Sequence, residues 1–296
     1  MPHITADDGV KLHWEATGAG APILFLHEFG GHPQSWEPQI RHFSRRYRCI
    51  TYAARGWPPS DIPDAVSAYS QARAADDAAA VLRGLGIEKA HLVGLSMGAT
   101  AALEFGIRHP ELALSLTAAA AGGGATTDPA QLRRFHDECM GFADRLEREG
   151  IAAMAEIYCA TPSRVPYRDK DPRGWAEFKR QFAEGSARGH ALTMRGVQAQ
   201  RVPFFERPGE LRAIPVPVLV IAGDEDDSTL ELALFLKRTI ARCGLVMLPR
   251  TGHTINLEEP AKFNDAVEDF IHTVERGRWG VRDARENFLL MPQQER

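Results

Sequence analysis

The stretch Ala90-His-Leu-Val-Gly-Leu-Ser-Met-Gly98 runs an apolar strand directly into a G-x-S-x-G turn centred on Ser96, and an alanine-rich helical segment follows from Ala99 to His109. A serine on so sharp a strand-to-helix turn tolerates only small neighbours, which Gly94 and Gly98 supply. The turn holds the hydroxyl proud of the sheet, with the positive end of the next helix beneath it. A bare G-x-S-x-G match arises by chance in many chains. The strand before it and the helix after it are what make this one a nucleophile elbow.

A nucleophilic serine needs a base, and the base needs an orienting acid. Pro215-Val-Pro-Val-Leu-Val-Ile-Ala222 reads as a buried strand, and the acidic run Gly223-Asp-Glu-Asp-Asp227 follows it. In isolation that run is a solvated loop; after a buried strand, one of its carboxylates is a candidate acid. A second short apolar strand, Leu245-Val-Met-Leu248, leads into Pro249-Arg-Thr-Gly-His253. Of the 11 histidines, His253 alone sits in Gly-His-x-x-x-x-Glu-x-Pro, Gly252 to Pro260, between a strand and a helix predicted over 260–274. Both partners fall just past the C-terminal ends of predicted strands, where open α/β sheets place their ligands.

An oxyanion needs two N–H donors aimed at the developing charge. One is assigned to the backbone of Met97, the residue after the nucleophile. The other is assigned to the loop Glu28-Phe29-Gly30-Gly31 that follows the strand Pro22-Ile-Leu-Phe-Leu-His27, with Phe29 the candidate donor. His27 is read as a structural hydrogen-bonding residue of this loop rather than as a second base.

At 296 residues the chain exceeds one ordinary domain but suits an α/β core with an insertion. Hydrophobic residues at 44% and charged residues at 25% match globular usage. The net charge of −4 gives no reason to expect nucleic acid or an anionic membrane as partner. No apolar run reaches the roughly 18–20 residues of a membrane span. The first residues, Met-Pro-His-Ile-Thr-Ala-Asp-Asp-Gly, show no signal peptide. Cys49, Cys139, Cys159 and Cys243 lack metal-like spacing and read as reduced thiols. The expectation is a cytoplasmic enzyme with a small-molecule substrate and neither metal nor cofactor.

Residues 3–17 alternate apolar and polar and read as an antiparallel edge strand or hairpin. Strands are predicted near 22–27, 47–53, 90–95 and 112–118, and helices near 34–45 and 68–85. The alternation predicts a mainly parallel sheet with helices on both faces. Between 123 and 207 the pattern becomes helical and charge-rich, with helices predicted over 128–148, 150–159, 172–188 and 190–201. Apolar stripes there (Leu132, Phe135, Cys139, Phe142; Trp175, Phe178, Phe182) can roof a pocket above Ser96 or bury against the core.

At this point the chain resembles the α/β-hydrolase fold family, in its serine-hydrolase branch with a helical cap. The resemblance spans about residues 3–275 and rests on His27-Glu-Phe-Gly-Gly31, Arg55-Gly-Trp-Pro-Pro-Ser60, Gly94-Leu-Ser-Met-Gly98, Gly223-Asp-Glu-Asp226 and Gly252-His253. It implies an α/β-hydrolase core over 1–122 and 208–275, a helical cap over 123–207 and a C-terminal tail over 276–296. The tail either packs on the body or supports a homodimer. The resemblance selects Asp226, three residues beyond Gly223, over Asp224 and Asp227, and gives the family's chain order Ser96, Asp226, His253.

Similar sequences include carboxylesterases, enol-lactonases, C–C hydrolases, amide hydrolases and cofactor-free haloperoxidases. The implied activity is a serine hydrolase of a small ester, lactone or amide. The alternatives are C–C hydrolysis of a dienoate or β-diketone and, outside enzymology, a ligand receptor on a hydrolase scaffold. Relatives of this fold that use an alkyl-enzyme ester carry Asp at the elbow, which Ser96 excludes.

Two departures stand out. Glu28 replaces the usual glycine after His27 and is expected to point outward as a solvated side chain; turned inward, it would disfavour anionic substrates or act as an auxiliary acid or base. Ala54 replaces the usual Asp before Arg-Gly, removing a loop anchor. Candidate pocket walls are Phe29, Trp36, Trp175, Met194 and Phe204. Arg188, His190 and Arg195 are a candidate carboxylate clamp, set against the commoner fate of arginines on solvated faces.

Overall fold

The computed structural model describes residues 2–122 and 126–281. Eight strands form one sheet: β1 (His3–Thr5), β2 (Lys11–Thr17), β3 (Ala21–Leu26), β4 (Tyr47–Tyr52), β5 (Ala90–Leu95), β6 (Ala113–Ala119), β7 (Val218–Gly223) and β8 (Cys243–Leu248). Their spatial order is β1-β2-β4-β3-β5-β6-β7-β8. The β1–β2 hairpin pairs antiparallel, as does β2 with β4; every later pairing is parallel. This is the mainly parallel α/β-hydrolase sheet that the sequence predicts.

The central strands are apolar along their length because both faces are covered. In β3, Leu24 and Leu26 face a core shared with α2 (Gln71–Gly84) and α3 (Met97–Arg108), through Ala78, Leu82, Ala102 and Phe105. Ile23 and Phe25 face the opposite core, which α1 (Glu37–Phe43) fills with Phe43.

Between β6 and β7 come the inserted helices α4 (Pro129–Glu149), α5 (Ile151–Tyr158), α6 (Val165–Lys170), α7 (Pro172–Ala183) and α8 (Ala187–Thr193), then the short α9 (Pro208–Arg212). Their apolar faces meet the loops beyond the strands in a third cluster: Ala143, Leu146, Met154, Phe182 and Leu192 pack with Phe29, Trp57 and Met97. Two helix expectations need correction. The helix predicted over 172–188 ends at Ala183, because Ser186 caps a new helix by accepting a hydrogen bond from the Gly189 amide at 3.1 Å. The segment 190–201 becomes the end of α8 and a π turn over Met194–Gln198. Helix α6 was not foreseen.

Helix α10 (Asp227–Thr239) links β7 to β8, and α11 (Ile255–Glu258) and α12 (Pro260–Glu275) follow β8. Phe263, Val267, Phe270 and Ile271 of α12 join the core of Ile23 and Phe25. Beyond α12 the chain packs on the body: the Trp279 ring meets Phe270 at 4.6 Å and its Nε1 donates to the Arg242 carbonyl at 2.8 Å. The rest of the predicted tail, 282–296, and part of the glycine run, 123–125, lie outside the described residues. Among the described residues no helix is long and apolar enough to cross a membrane.

Candidate active site

Ser96 stands between β5 and α3 with φ 54° and ψ −109°, a left-handed conformation that non-glycine residues adopt only when their surroundings enforce it. The enforcement is visible on both sides. A Cβ at position 94 would lie 2.2 Å from the Gly98 carbonyl oxygen, and one at 98 would lie 2.0 Å from that of Leu26. Glycine at both positions lets β3, β5 and α3 converge tightly enough to hold the bend. The Ser96 amide donates to the Ala119 carbonyl at 2.8 Å, which ties the turn to β6.

His253 Nε2 lies 2.8 Å from Ser96 Oγ, and its Nδ1 lies 2.6 Å from Asp226 Oδ2. A carboxylate only accepts, so Nδ1 carries the proton and Nε2 presents its lone pair to the serine hydroxyl. Burial alone would raise the Asp226 carboxyl. The attraction of His253 when it takes up a second proton, with hydrogen bonds from His253, Ser228 and Thr229, outweighs it and holds Asp226 below the usual carboxylate range.

The loop bearing His253 is fastened from two sides. Its backbone N–H donates to the Ser163 carbonyl of the insertion at 2.8 Å. The Gly252 N–H donates to Glu258 Oε2 at 2.9 Å, while Lys170 of α6 donates to Glu258 Oε1 at 2.8 Å. Glu258 escaped the sequence reading as a working residue, although the spacing Gly-His-x-x-x-x-Glu marked it.

Met97 opens α3, so its N–H belongs to the first-turn donors that lack a helical acceptor. Phe29 follows β3, and its ring packs against Trp57, Tyr158, Phe182 and His190 with centroids 5.1–6.2 Å away. Beneath it, His27 Nε2 accepts the Ala54 amide at 3.0 Å, so Nδ1 donates to the Glu28 carbonyl at 2.8 Å. Burial pushes His27 down to about 3. It is a neutral brace between two loops, as its sequence position suggested.

Glu28 does not point outward. Its side chain is 1% exposed, because Arg164 reaches it from the insertion and ion-pairs with Oε2. Arg164 also donates to the Tyr158 hydroxyl at 2.7 Å and lies over that ring, 4.2 Å from its centroid. Nothing in the local sequence marked Arg164. The anchor missing at Ala54 is supplied differently: Arg55 pairs with Asp77 of α2 at 2.6 Å and with Asp8 at 2.9 Å.

Several other candidates also need correction. Trp36 is buried on the far face of the sheet against Phe25 and Phe263, too large and apolar to leave that core. Phe204 sinks into the other core. Trp175 packs within the insertion, donating to the Cys159 carbonyl at 2.9 Å with Lys179 over its ring. Arg188 pairs with Asp64, and Arg195 with Asp144 and Glu147, so neither is an unpaired cation for a carboxylate. His190 is buried among Phe29, Trp57 and Phe182; its Nδ1 lies 2.9 Å from the Ser186 carbonyl, and burial lowers it to about 4. Met194 flanks the same cluster. The insertion side chains that cluster with Phe29 and Met97 are therefore aromatic and aliphatic rather than unpaired cations. A groove of about 690 Å³ lies to one side, lined by Gln34, Tyr167, Phe178 and Leu257, and does not include Ser96.

The sheet order, the strained serine turn and the histidine and aspartate at neighbouring strand ends define a hydrolase of the α/β class. Residues 23–266 match the Alpha/beta hydrolase family, and the chain belongs to it. It is 30% identical to 3-oxoadipate enol-lactonase 2 of Acinetobacter baylyi, an alignment covering 90% of this chain and 94% of that one. A solved esterase from Thermogutta terrifontis superposes with a TM-score of 0.81 at 26% identity, over 92% of this chain and 98% of that one. An enol-lactonase from Burkholderia xenovorans LB400 shares the fold, with a TM-score of 0.79 at 23% identity, over 92% of this chain and all (100%) of the other.

Proposed function

We propose that this protein is a serine hydrolase that cleaves a small, uncharged carboxylic ester or lactone through an acyl-enzyme, with amides as slower substrates. The observation that carries the reading is the continuous contact Ser96 Oγ–His253 Nε2–Asp226, at 2.8 and 2.6 Å. His253 takes the Ser96 proton as Oγ bonds to the substrate carbonyl carbon. The Phe29 and Met97 N–H groups receive the oxyanion, and Asp226 supports the imidazolium. Collapse expels the alkoxide, which takes the proton from Nε2. Water then gives a proton to Nε2 as it attacks the acyl carbon, and collapse releases the acid while Nε2 returns that proton to Ser96 Oγ.

C–C hydrolysis of a dienoate would be favoured by a pocket cation. Arg164, the buried cation nearest the Phe29 loop, is already neutralised by Glu28 and sealed from solvent, which supports the ester or lactone reading. The similarity to an enol-lactonase and an esterase points the same way.

Intact mass after fluorophosphonate treatment tests the assignment. Wild type is expected to gain one adduct and Ser96→Ala none. An adduct in both, or no adduct in folded wild type, overturns it.

A further inference from the structure

Glu28 and Arg164 make a costly pair. Both side chains are nearly sealed from solvent, at 1% and 5% exposure, and two of their polar atoms, Glu28 Oε1 and Arg164 Nε, are buried without a hydrogen-bond partner among the described residues. Buried ion pairs with unmet hydrogen-bonding atoms are poor stabilisers, because desolvation offsets their attraction. Such breaches of local rules concentrate where a fold serves something besides stability.

What the pair connects is specific. On the core side, Glu28 precedes Phe29, and the Glu28 carbonyl accepts from His27 and from the Gly31 amide at 3.1 Å. On the other side, Arg164 follows Ser163, whose carbonyl holds the His253 amide at 2.8 Å. The Tyr158 ring under Arg164 fills the space above Gly30, where a Cβ would lie 2.3 Å from it. One short path of covalent and polar links thus runs from the oxyanion amide to the base through residues of the insertion.

Resting on the reading of Ser96 as nucleophile, we infer that Glu28 and Arg164 are a positioning pair, which holds the Phe29 amide and the His253 ring in register with Ser96. Neither touches the reacting atoms. Their loss lets the donor and base drift apart, which weakens transition-state contacts more than substrate binding.

The test compares wild type with Glu28→Gln, Arg164→Met, Arg164→Lys and the double variant Glu28→Gln/Arg164→Met, which leaves no lone buried charge. p-Nitrophenyl butyrate turnover and the fluorophosphonate labelling rate are measured on each, with a thermal melt as the folding control. Misplacing catalytic groups by about 1 Å can cost ~10²-fold, so kcat is expected to fall roughly 10- to 100-fold in Glu28→Gln and Arg164→Met. KM should stay within about threefold, and labelling should slow in parallel with kcat. Arg164→Lys should recover part of the loss, and the double variant should fall no further than the worse single, as for residues acting as a unit. Variants with a lowered melting temperature but parental kcat and labelling would reduce the pair to an inert joint and overturn the inference. Wild type that resists labelling would instead remove the nucleophile reading, and the positioning role with it.

Discussion

Strand β5 carries two serine–histidine contacts, one at each end. At its C-terminal end, Ser96 meets His253 Nε2 at 2.8 Å; near its start, His91 Nδ1 meets Ser115 of β6 at 2.7 Å. The distances are almost equal, and the surroundings differ in every respect that governs reactivity. Ser96 sits on a strained turn with a helix N-terminus behind it, and its histidine is oriented by a carboxylate at 2.6 Å. Ser115 lies within β6 opposite His91, just past a register shift between the two strands, and both are 1% exposed. Glu275 stands 3.7 Å from His91 Nε2, which has no hydrogen-bond partner among the described residues. A short serine–histidine distance is packing unless an acid, oxyanion donors and room for a carbonyl come with it.

The comparison breaks most readily at the serines. Ser96→Ala is expected to lower kcat/KM by about 10⁴-fold or more, whereas Ser115→Ala leaves it within about twofold. Steady-state assays on a p-nitrophenyl ester read both. A silent Ser96→Ala, or a dead but folded Ser115→Ala, would abolish the distinction.

The acids sharpen it next. Asp226→Asn should cost roughly 10³- to 10⁴-fold in kcat by presenting the wrong histidine tautomer to Ser96. Glu275→Gln should leave kcat unchanged, and equal effects from the two would mean that the carboxylate distance is immaterial.

A third contrast lies in pH. Burial lowers His91 to about 4, as it lowers His190 to about 4 and His27 to about 3. These values lie below the unfolded value of about 6.5, so the unfolded chain binds more protons between the two. The stability linked to these histidines is present above pH 6.5 and lost as pH falls towards 4, by up to about 1.4 kcal/mol per pH unit per group. Denaturation midpoints from pH 7 to 4.5 should fall accordingly, with a shallower slope in His91→Gln. An unchanged slope in that variant would show that His91 does not share in the effect.

The smallest effect belongs to the inert pair itself. Ser115→Ala should destabilise by about 1–2 kcal/mol through a lost buried hydrogen bond, seen as a lower denaturant midpoint.

The elbow was legible because its chemistry is local: two glycines, a strand and a helix lie within twenty residues of sequence. His253 was legible because a strand end and a short spacing mark it; the acidic run after β7 was legible as a group, and only the resemblance picked Asp226 from it, which the structure places against His253. Glu28 was not legible. Its direction is set by Arg164, which is 136 residues away, and an arginine after a serine in a polar stretch carries no periodic signal. Trp36 and Phe204 lie away from Ser96 for a related reason: large aromatics at strand and helix junctions more often fill the core. Arg188 and Arg195 found carboxylates on Asp64, Asp144 and Glu147, partners that no spacing rule connects to them.

The hydrogen bond from the His253 amide to the Ser163 carbonyl has a consequence for anyone recombining such enzymes. The inserted helices look like a replaceable part, bounded by two core strands and open to exchange with those of a relative. Yet the insertion, through Ser163 and Lys170, helps to fasten the loop that bears His253. A chimaera that swaps the helices wholesale would arrive with its histidine unmoored. One that leaves Tyr158, Ser163, Arg164 and also Lys170 in place would import new helices over an undisturbed centre.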